Sequence, residues 1–440
     1  MGRDGLFDDL PETTSVAKAA GKPRLRTPVR DQIELRAVDL DALIGSDHAA
    51  RVIWAYVERL DLSVLEEAVR ARTHGPGQAP VSPRLFLALW LYGTSEGVGS
   101  ARALARLCTS HDAYRWLCGG VSVNYHGLSD FRCGHAALLD RLLSENLAAL
   151  SATGVIELDE VVQDGVRVRA SAGSGSYRRR KTLRKELKKA KRLVERLARE
   201  GDADASNRRI EAAHRRAARE REQRVRAALD KLGELETERN RRAKTNKKEV
   251  AKQKEPRVST TDPRARVMKM ADGGFRPAYN CQLATVAEGQ IVVEVEAVGV
   301  GSDRGLLRPM VERIERRHRR RPKRYLVDGG FTKNDDTEWA WQRGVKVYGP
   351  AIKNKHNTEP YAPRPNDGPG VAAWRRRMKS AHGKSVYRRR VCGECINARF
   401  RQWGLNQFTV RGPEKVNTVL LWFALANNIL SGHRLTTAAS

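Results

Sequence analysis

Four residues near the C-terminal end carry the densest chemical signal: Tyr387, Arg390, Glu394 and Arg401, spaced three, four and seven residues apart. On a helix this spacing puts Arg390 and Glu394 on one face, with Tyr387 a turn before and Arg401 two turns beyond. Ile396 and Phe400, a turn apart, suit anchoring that helix to a core. A lone carboxylate among cations asks for acidic partners elsewhere. Two upstream aspartates supply them: Asp164, in Val161-Val162-Gln163-Asp164-Gly165, and Asp328, which closes the apolar run Tyr325-Leu326-Val327 before Gly329-Gly330. Carboxylates suit Mg²⁺, a hard cation that takes oxygen ligands and keeps waters for a substrate phosphate. Two such ions, about 3.5–4 Å apart, activate an attacking oxygen and stabilise a leaving one at phosphorus. The plainer alternatives stay open here: Asp164-Gly165 between two β runs also reads as a hairpin turn, and Asp328 as a structural loop residue.

The charge balance names a partner class. The 440 residues carry a net charge of +30 and a pI of about 10.3. That excess is spread along the chain rather than confined to a tail, and nucleic acid is the polyanion it fits. The polar start Met1-Gly2-Arg3-Asp4-Gly5 has no signal-peptide pattern. The most apolar run, Val416 to Leu430, is short for a membrane span and contains Asn427 and Asn428. Six cysteines make no disulfide framework and point to a reducing cytoplasm. Cys392 and Cys395 flank Glu394, but zinc needs two further ligands with suitable spacing, so they read as two cysteines on a packed helix.

Several elements must position these groups. Residues 1–30 read as an irregular arm. Residues 31–152 read as helical: a stripe from Val52 to Leu60, a helix started by Ser82-Pro83 and ended at Gly93, one capped by Ser100, a short one over Asp112 to Leu117, and a long one from Ser129-Asp130 through Leu147. Short helices with tight turns are compatible with a helix-turn-helix DNA reader. Val155 to Leu158 and Val161-Val162 are β-type, Asp164-Gly165 interrupts, and Val166 to Ala170 alternates apolar and cationic residues. Residues 177–255 are highly charged, and Leu183, Leu187, Ala190, Val194 and Leu197 form a heptad seam. A break at Gly201 to Asn207 and a second helical run read as an antiparallel hairpin, serving as a DNA-tracking or self-associating arm or as a solvated insertion. Beyond Pro256, Arg276 to Val286 and Gln290 to Val298 read as a β-hairpin, Leu306 to Ile314 as a helix, and Val345 to Tyr348 as a strand before a polar loop with Lys353, Lys355 and His356.

At these residues the chain resembles DDE-type transposases of bacterial insertion sequences, in the group marked by a Tyr-Arg-Glu-Lys signature around the third carboxylate. Tyr387, Arg390 and Glu394 match its spacing; Arg401 stands where the family has Lys, a planar fork in place of a point charge. Val162-Gln163-Asp164-Gly165 resembles the first-Asp motif and Val327-Asp328-Gly329-Gly330-Phe331 the second, with Gly329 and Phe331 as departures. Ser259 to Pro263, Gly274 to Asn280, Leu117-Cys118-Gly119 and Phe131-Arg132 are also similar, while Asn124-Tyr125-His126-Gly127 departs. The resemblance spans roughly residues 35 to 435.

The resemblance implies an α/β ribonuclease-H-like catalytic core with an N-terminal all-helical DNA-binding domain and an inserted charged helical hairpin. The core then occupies 153–176 and 256–435, split by the hairpin at 177–255, with a tail at 436–440. It implies that Asp164, Asp328 and Glu394 are catalytic and hold two Mg²⁺ ions, for which Mn²⁺ can substitute. Tyr387, Arg390 and Arg401 would position DNA near the scissile phosphate. The implied partners are double-stranded DNA, both the terminal inverted repeats and the target, and a second copy in an active homodimer. No membrane is implied, and the implied location is the bacterial cytoplasm, with the nucleoid. Two other readings keep the same residues: a ribonuclease-H-like, structure-dependent nuclease without strand transfer, and a non-catalytic DNA-binding protein.

Overall fold

The computed structural model describes residues 37–69, 79–199, 208–245, 255–351 and 359–439. The arm at 1–30, the break at 201–207 and the loop residues Lys353, Lys355 and His356 lie outside them. The first part is helical: α1 (Ala49–Glu58), α2 (Ser63–Glu67), α3 (Pro83–Ser95), α4 (Ala101–Ser110), α5 (Asp112–Cys118), α6 (Tyr125–Gly134) and α7 (Ala136–Ala152). The Ser82 hydroxyl accepts from the Arg84 amide to start α3, and Ser100 caps α4 through the Ala103 amide. Leu87 to Leu91 are fully buried, so α3 is the centre of this part.

Three local expectations change. Gly93 lies inside α3, which runs on to Ser95; Gly97, at φ +74°, supplies the left-handed turn that ends it. The long helix expected from Ser129 is two helices. Asn124 caps α6 by accepting from the Gly127 amide, and the chain breaks at His135, just after Gly134, before α7 begins. Val155 to Leu158 form no strand. Gly154, at φ +72°, turns the chain, and the Val155 and Ile156 amides return to the Leu150 carbonyl to close α7.

The remaining elements in chain order are β1 (Glu160–Arg169), β2 (Tyr177–Arg178), α8 (Arg180–Arg199), α9 (Arg208–Thr245), β3 (Val258–Ser259), β4 (Arg266–Lys269), β5 (Phe275–Val286), β6 (Val292–Val298), α10 (Leu307–His318), β7 (Arg324–Val327), α11 (Asn334–Trp341), β8 (Lys346–Tyr348), α12 (Pro369–Lys379), α13 (Ala381–Arg388), α14 (Val391–Gln402) and α15 (Pro413–Ala439). One mixed sheet is built around β1. β5 is antiparallel to β1 and carries β4 and β6 along its other edge, while β7 and then β8 run parallel on the far side. The two short strands β2 and β3 pair at the base of α8 and α9. Those helices run antiparallel, with Arg180 paired to Glu236 and Glu186 to Arg221, over a small core of Leu183, Val225, Ala228 and Leu232.

α15 explains the polar pair in the most apolar run. It lies along the outer edge of β6, where strand amides have no ladder partner. Asn428 accepts from the Val292 amide and donates to the Val292 carbonyl, and Asn417 accepts from the Ala297 amide. Residues 436–439, expected as a tail, continue this helix. Among the described residues no helix is long and apolar enough to cross a membrane.

Candidate active site

Register brings the two aspartates together. The parallel pairing of β1 with β7 ends at Gln163 opposite Val327, so Asp164 and Asp328 are the next residue on each strand. Asp164 is not a turn residue: β1 continues unbroken through it, and it faces Leu283 of β5. Asp328 leaves β7 in extended conformation and caps a 3-10 turn, Gly329–Phe331, by accepting from the Gly329 amide. Both aspartates line one open cleft of about 520 Å³, with Arg167, Arg276 and Arg401 on its walls.

The third acidic residue arrives from a different direction. The Tyr387-to-Arg401 stretch is two helices, α13 and α14, joined by a tight turn at Arg389 and Arg390, rather than the single helix its spacing suggests. The spacing still works locally. Arg390 is bonded to Glu394 one turn on, its guanidinium sits 5.8 Å from the Tyr387 ring centroid, and its Nη1 is 3.9 Å from Asp164 Oδ2. Arg390 therefore stands between the first and third carboxylates. Glu394 itself is about half exposed (54 %) and is not on the wall of the cleft with Asp164 and Asp328. Arg401 is on that wall. Cys392 is buried, its thiol pushed up to about 12 by burial, and Cys395 is exposed.

Two residues escaped the sequence reading. Asn397, one turn beyond Glu394 on α14, is buried and donates from Nδ2 to Asp164 Oδ2 at 2.8 Å. Its Oδ1 has no hydrogen-bond partner, a cost of about 1–3 kcal/mol for a buried acceptor. Reversing the amide would set its oxygen against the carboxylate, so Asp164 fixes the orientation. Asp303 also lines the cleft, and its Oδ1 accepts from Asn280 and Gln282 at 2.7 and 3.0 Å. The glycine after Asp164 is required by this amide cluster: a Cβ on Gly165 would come within 2.6 Å of Gln282 Nε2 and 2.8 Å of Asp303 Oδ1. The glycine after Asp328 faces Pro350 instead, 3.3 Å from where its Cβ would stand. The Asn397 spacing from Glu394 was a helical-face signal available in the sequence; nothing local marks Asp303.

Burial raises the Asp164 carboxyl above its ordinary range. The Gly165 amide and Arg390 oppose the rise, while the charges of Asp328 and Asp303 add to it. Arg390 gains proton affinity: its burial works against this, but Tyr387, Asp164 and Glu394 outweigh that burial. Because the folded chain holds the Asp164 proton more tightly than the unfolded one, stability falls as pH rises from about 4 through the folded value, and the deficit persists above it. Asp164→Asn is therefore expected to melt higher than wild type in EDTA at about pH 7, with the two converging below about pH 4. Thermal melts at the two pH values check this; a variant less stable than wild type at neutral pH would contradict it.

The donor chemistry fits a hard divalent cation: carboxylate oxygens in a polar cleft, with mutual repulsion a cation would relieve. Among the described residues no three acidic, histidine or cysteine side chains stand close enough to form a ready-made cage.

Comparison with known families agrees with this architecture. Residues 38–133 match a family described as a transposase domain (DUF772), and residues 257–429 match the transposase DDE domain, which implies a ribonuclease-H-like fold. The second match contains Asp328 and Glu394; Asp164 lies between the two matches. No curated protein and no solved structure matches the chain. Together the two matched segments take in more than half of the chain, which belongs to the DDE-type transposases of insertion sequences, enzymes that generally use divalent metal ions, and is a DNA transposase.

Proposed function

We propose that the chain binds the terminal inverted repeats of its own element, cleaves DNA at the ends and joins the freed 3′-OH to target DNA. Asp164, Asp328 and Glu394 are the residues that would hold two Mg²⁺ ions, with Mn²⁺ able to replace them. Bound there, divalent cations supply Lewis acidity at the scissile phosphate and lower the pKa of water. The observation that carries this reading is the step-matched ends of β1 and β7, which open Asp164 and Asp328 into one arginine-walled cleft.

The chain's own residues divide the remaining work. Asn397 holds Asp164 by one oxygen and leaves the carboxylate turned to the cleft. Arg390 neutralises Asp164 and Glu394 in the metal-free protein and, released from them, is a bidentate donor for DNA phosphate. Arg401 contributes a second fork on the cleft wall, and Tyr387 packs under Arg390. Glu394 turns inward once Arg390 lets go, which reconciles its exposure with its place in the signature. The helices at 31–152 read the element ends. Two ends joined in one event call for two copies of the chain, working on the bacterial chromosome.

The test is cleavage and joining of labelled DNA carrying the repeats that flank the gene, in Mg²⁺ or EDTA, with wild type and Asp164→Asn. Metal-dependent cutting at the repeat tips followed by joining, both lost in the variant, is the expected result. Cutting that survives Asp164→Asn would reject the carboxylate assignment, and binding without cutting by wild type would reject the catalytic reading.

A further inference from the structure

The two helices of the charged insertion are not electrostatic equals. α9 offsets part of its charge within itself, with thirteen Lys or Arg against seven Asp or Glu in thirty-eight residues: Arg215 pairs with Glu211, Arg224 with Glu220, Arg226 with Glu222 and Arg242 with Glu238, each four residues apart. α8 carries ten Lys or Arg and two Glu in twenty residues. One of those two glutamates, Glu186, is taken by Arg221 of α9. Lys181, Lys185, Lys188 and Arg192 follow one another at four, three and four residues, which is a single helical face, and all are exposed. Arg184 and Lys191 flank them, also exposed. Among the described residues no acidic side chain pairs with any of these six.

We propose that this face of α8 is a sequence-independent docking surface for the phosphate backbone of duplex DNA, an inference that goes beyond the cleavage reaction and needs only that the enzyme acts on DNA. A twenty-residue helix is about 30 Å long, the rise of about nine base pairs. It is therefore long enough to follow one flank of a groove. The alternative occupant, a second α8 from another copy, is disfavoured twice. The apolar seam is already spent, because Leu183 and Ala190 are buried and Leu187 packs with Val225, Ala228 and Leu232 of α9. Two copies meeting through the polar face would set like charges against each other. The short β2–β3 ladder ties the insertion to the core, with Tyr177 donating to the Ala265 carbonyl beside β4, so the face is presented from a fixed base.

The experiment is a salt series of binding titrations by fluorescence anisotropy, using the full chain and a labelled duplex that lacks the element ends. Wild type is compared with a combined Lys181→Gln, Lys185→Gln, Lys188→Gln, Arg192→Gln variant. The control variant is Arg226→Gln with Arg242→Gln, which removes α9 charges that are already paired. In the α8 variant the dependence of log affinity on log salt is expected to flatten by about 0.9 for each phosphate left without its cation, and in the control to stay at the wild-type slope. An unchanged slope in the α8 variant, or an equal loss in the control, overturns the proposal. So does a change of oligomeric state by sedimentation in the α8 variant, which would identify a second copy as the occupant. The slope is read from binding alone, on DNA without the element ends, so a failure of the catalytic assignment would not be mistaken for a failure of this one.

Discussion

Gly393→Val is expected to abolish end cleavage, by about 100-fold or more, while DNA binding stays close to wild type. The reason is the closeness of α14 to β1. A Cβ on Gly393 would lie 2.9 Å from Val162 Cγ1 and 3.4 Å from Asp164 Cβ. Val162 cannot yield: it is fully buried, β-branched in a central strand, and packed with Leu326 and Trp374. The helix must therefore move, and it carries Glu394 and Asn397 with it. Overpacking of this kind costs about 1–3 kcal/mol, which a chain with this much buried core survives. A displacement of about 1 Å in groups that must act together costs far more in rate than in stability. The measurement pairs a cleavage assay with anisotropy on the same preparation. Normal cleavage would show that α14 can leave β1 without consequence, and that the hydrogen bond from Asn397 to Asp164 is dispensable.

That glycine also shows where sequence reasoning reached and where it stopped. Apolar runs identified β5, β6, β7 and the two halves of β1 without their continuity through Asp164, and the aspartate closing the β7 run was recognisable from its place in the sequence alone. The register that sets Asp164 beside Asp328 was not, because parallel pairing depends on partners more than a hundred residues apart. The caps Ser82 and Ser100 were legible because their chemistry is local. The break at His135 was missed because apolar residues continue across it and only Gly134 weakens the helix. In the signature stretch, helical spacing correctly joined Arg390 to Glu394 but could not show that the helix is interrupted there, nor that Glu394 rests outside the cleft. Asp303 was invisible because its significance comes from the amides of Asn280 and Gln282 and from its close approach to Gly165.

Glu294→Ala is expected to be the most destabilising single change away from the cleft, at about 3–5 kcal/mol. Glu294 lies on β6 with its side chain 3 % exposed, and it accepts from Arg313 and Arg317 of α10 at 3.1 and 2.9 Å. Arg317, 5 % exposed, also donates to the Asp140 carbonyl and the Ser144 hydroxyl of α7. One buried carboxylate thus joins the sheet, the helix after Asp303 and the last helix of the N-terminal part. Removing it strands a desolvated guanidinium whose other carboxylate among the described residues, Asp140, is mostly exposed. Removing both partners is different, because Glu294→Leu with Arg317→Met leaves no buried charge, and most of the loss should return. Urea denaturation of wild type, the single variant and the double variant measures this. A single variant within about 1 kcal/mol of wild type would mean that Asp140 and solvent already satisfy Arg317. The consequence for function runs through α10. The Leu306 carbonyl, at its start, accepts from Gln163, the residue before Asp164, and Gln163 also donates to Gln282, which donates to Asp303. A helix released from β6 would loosen that chain of amides, so cleavage should fall in the single variant and recover with stability in the double.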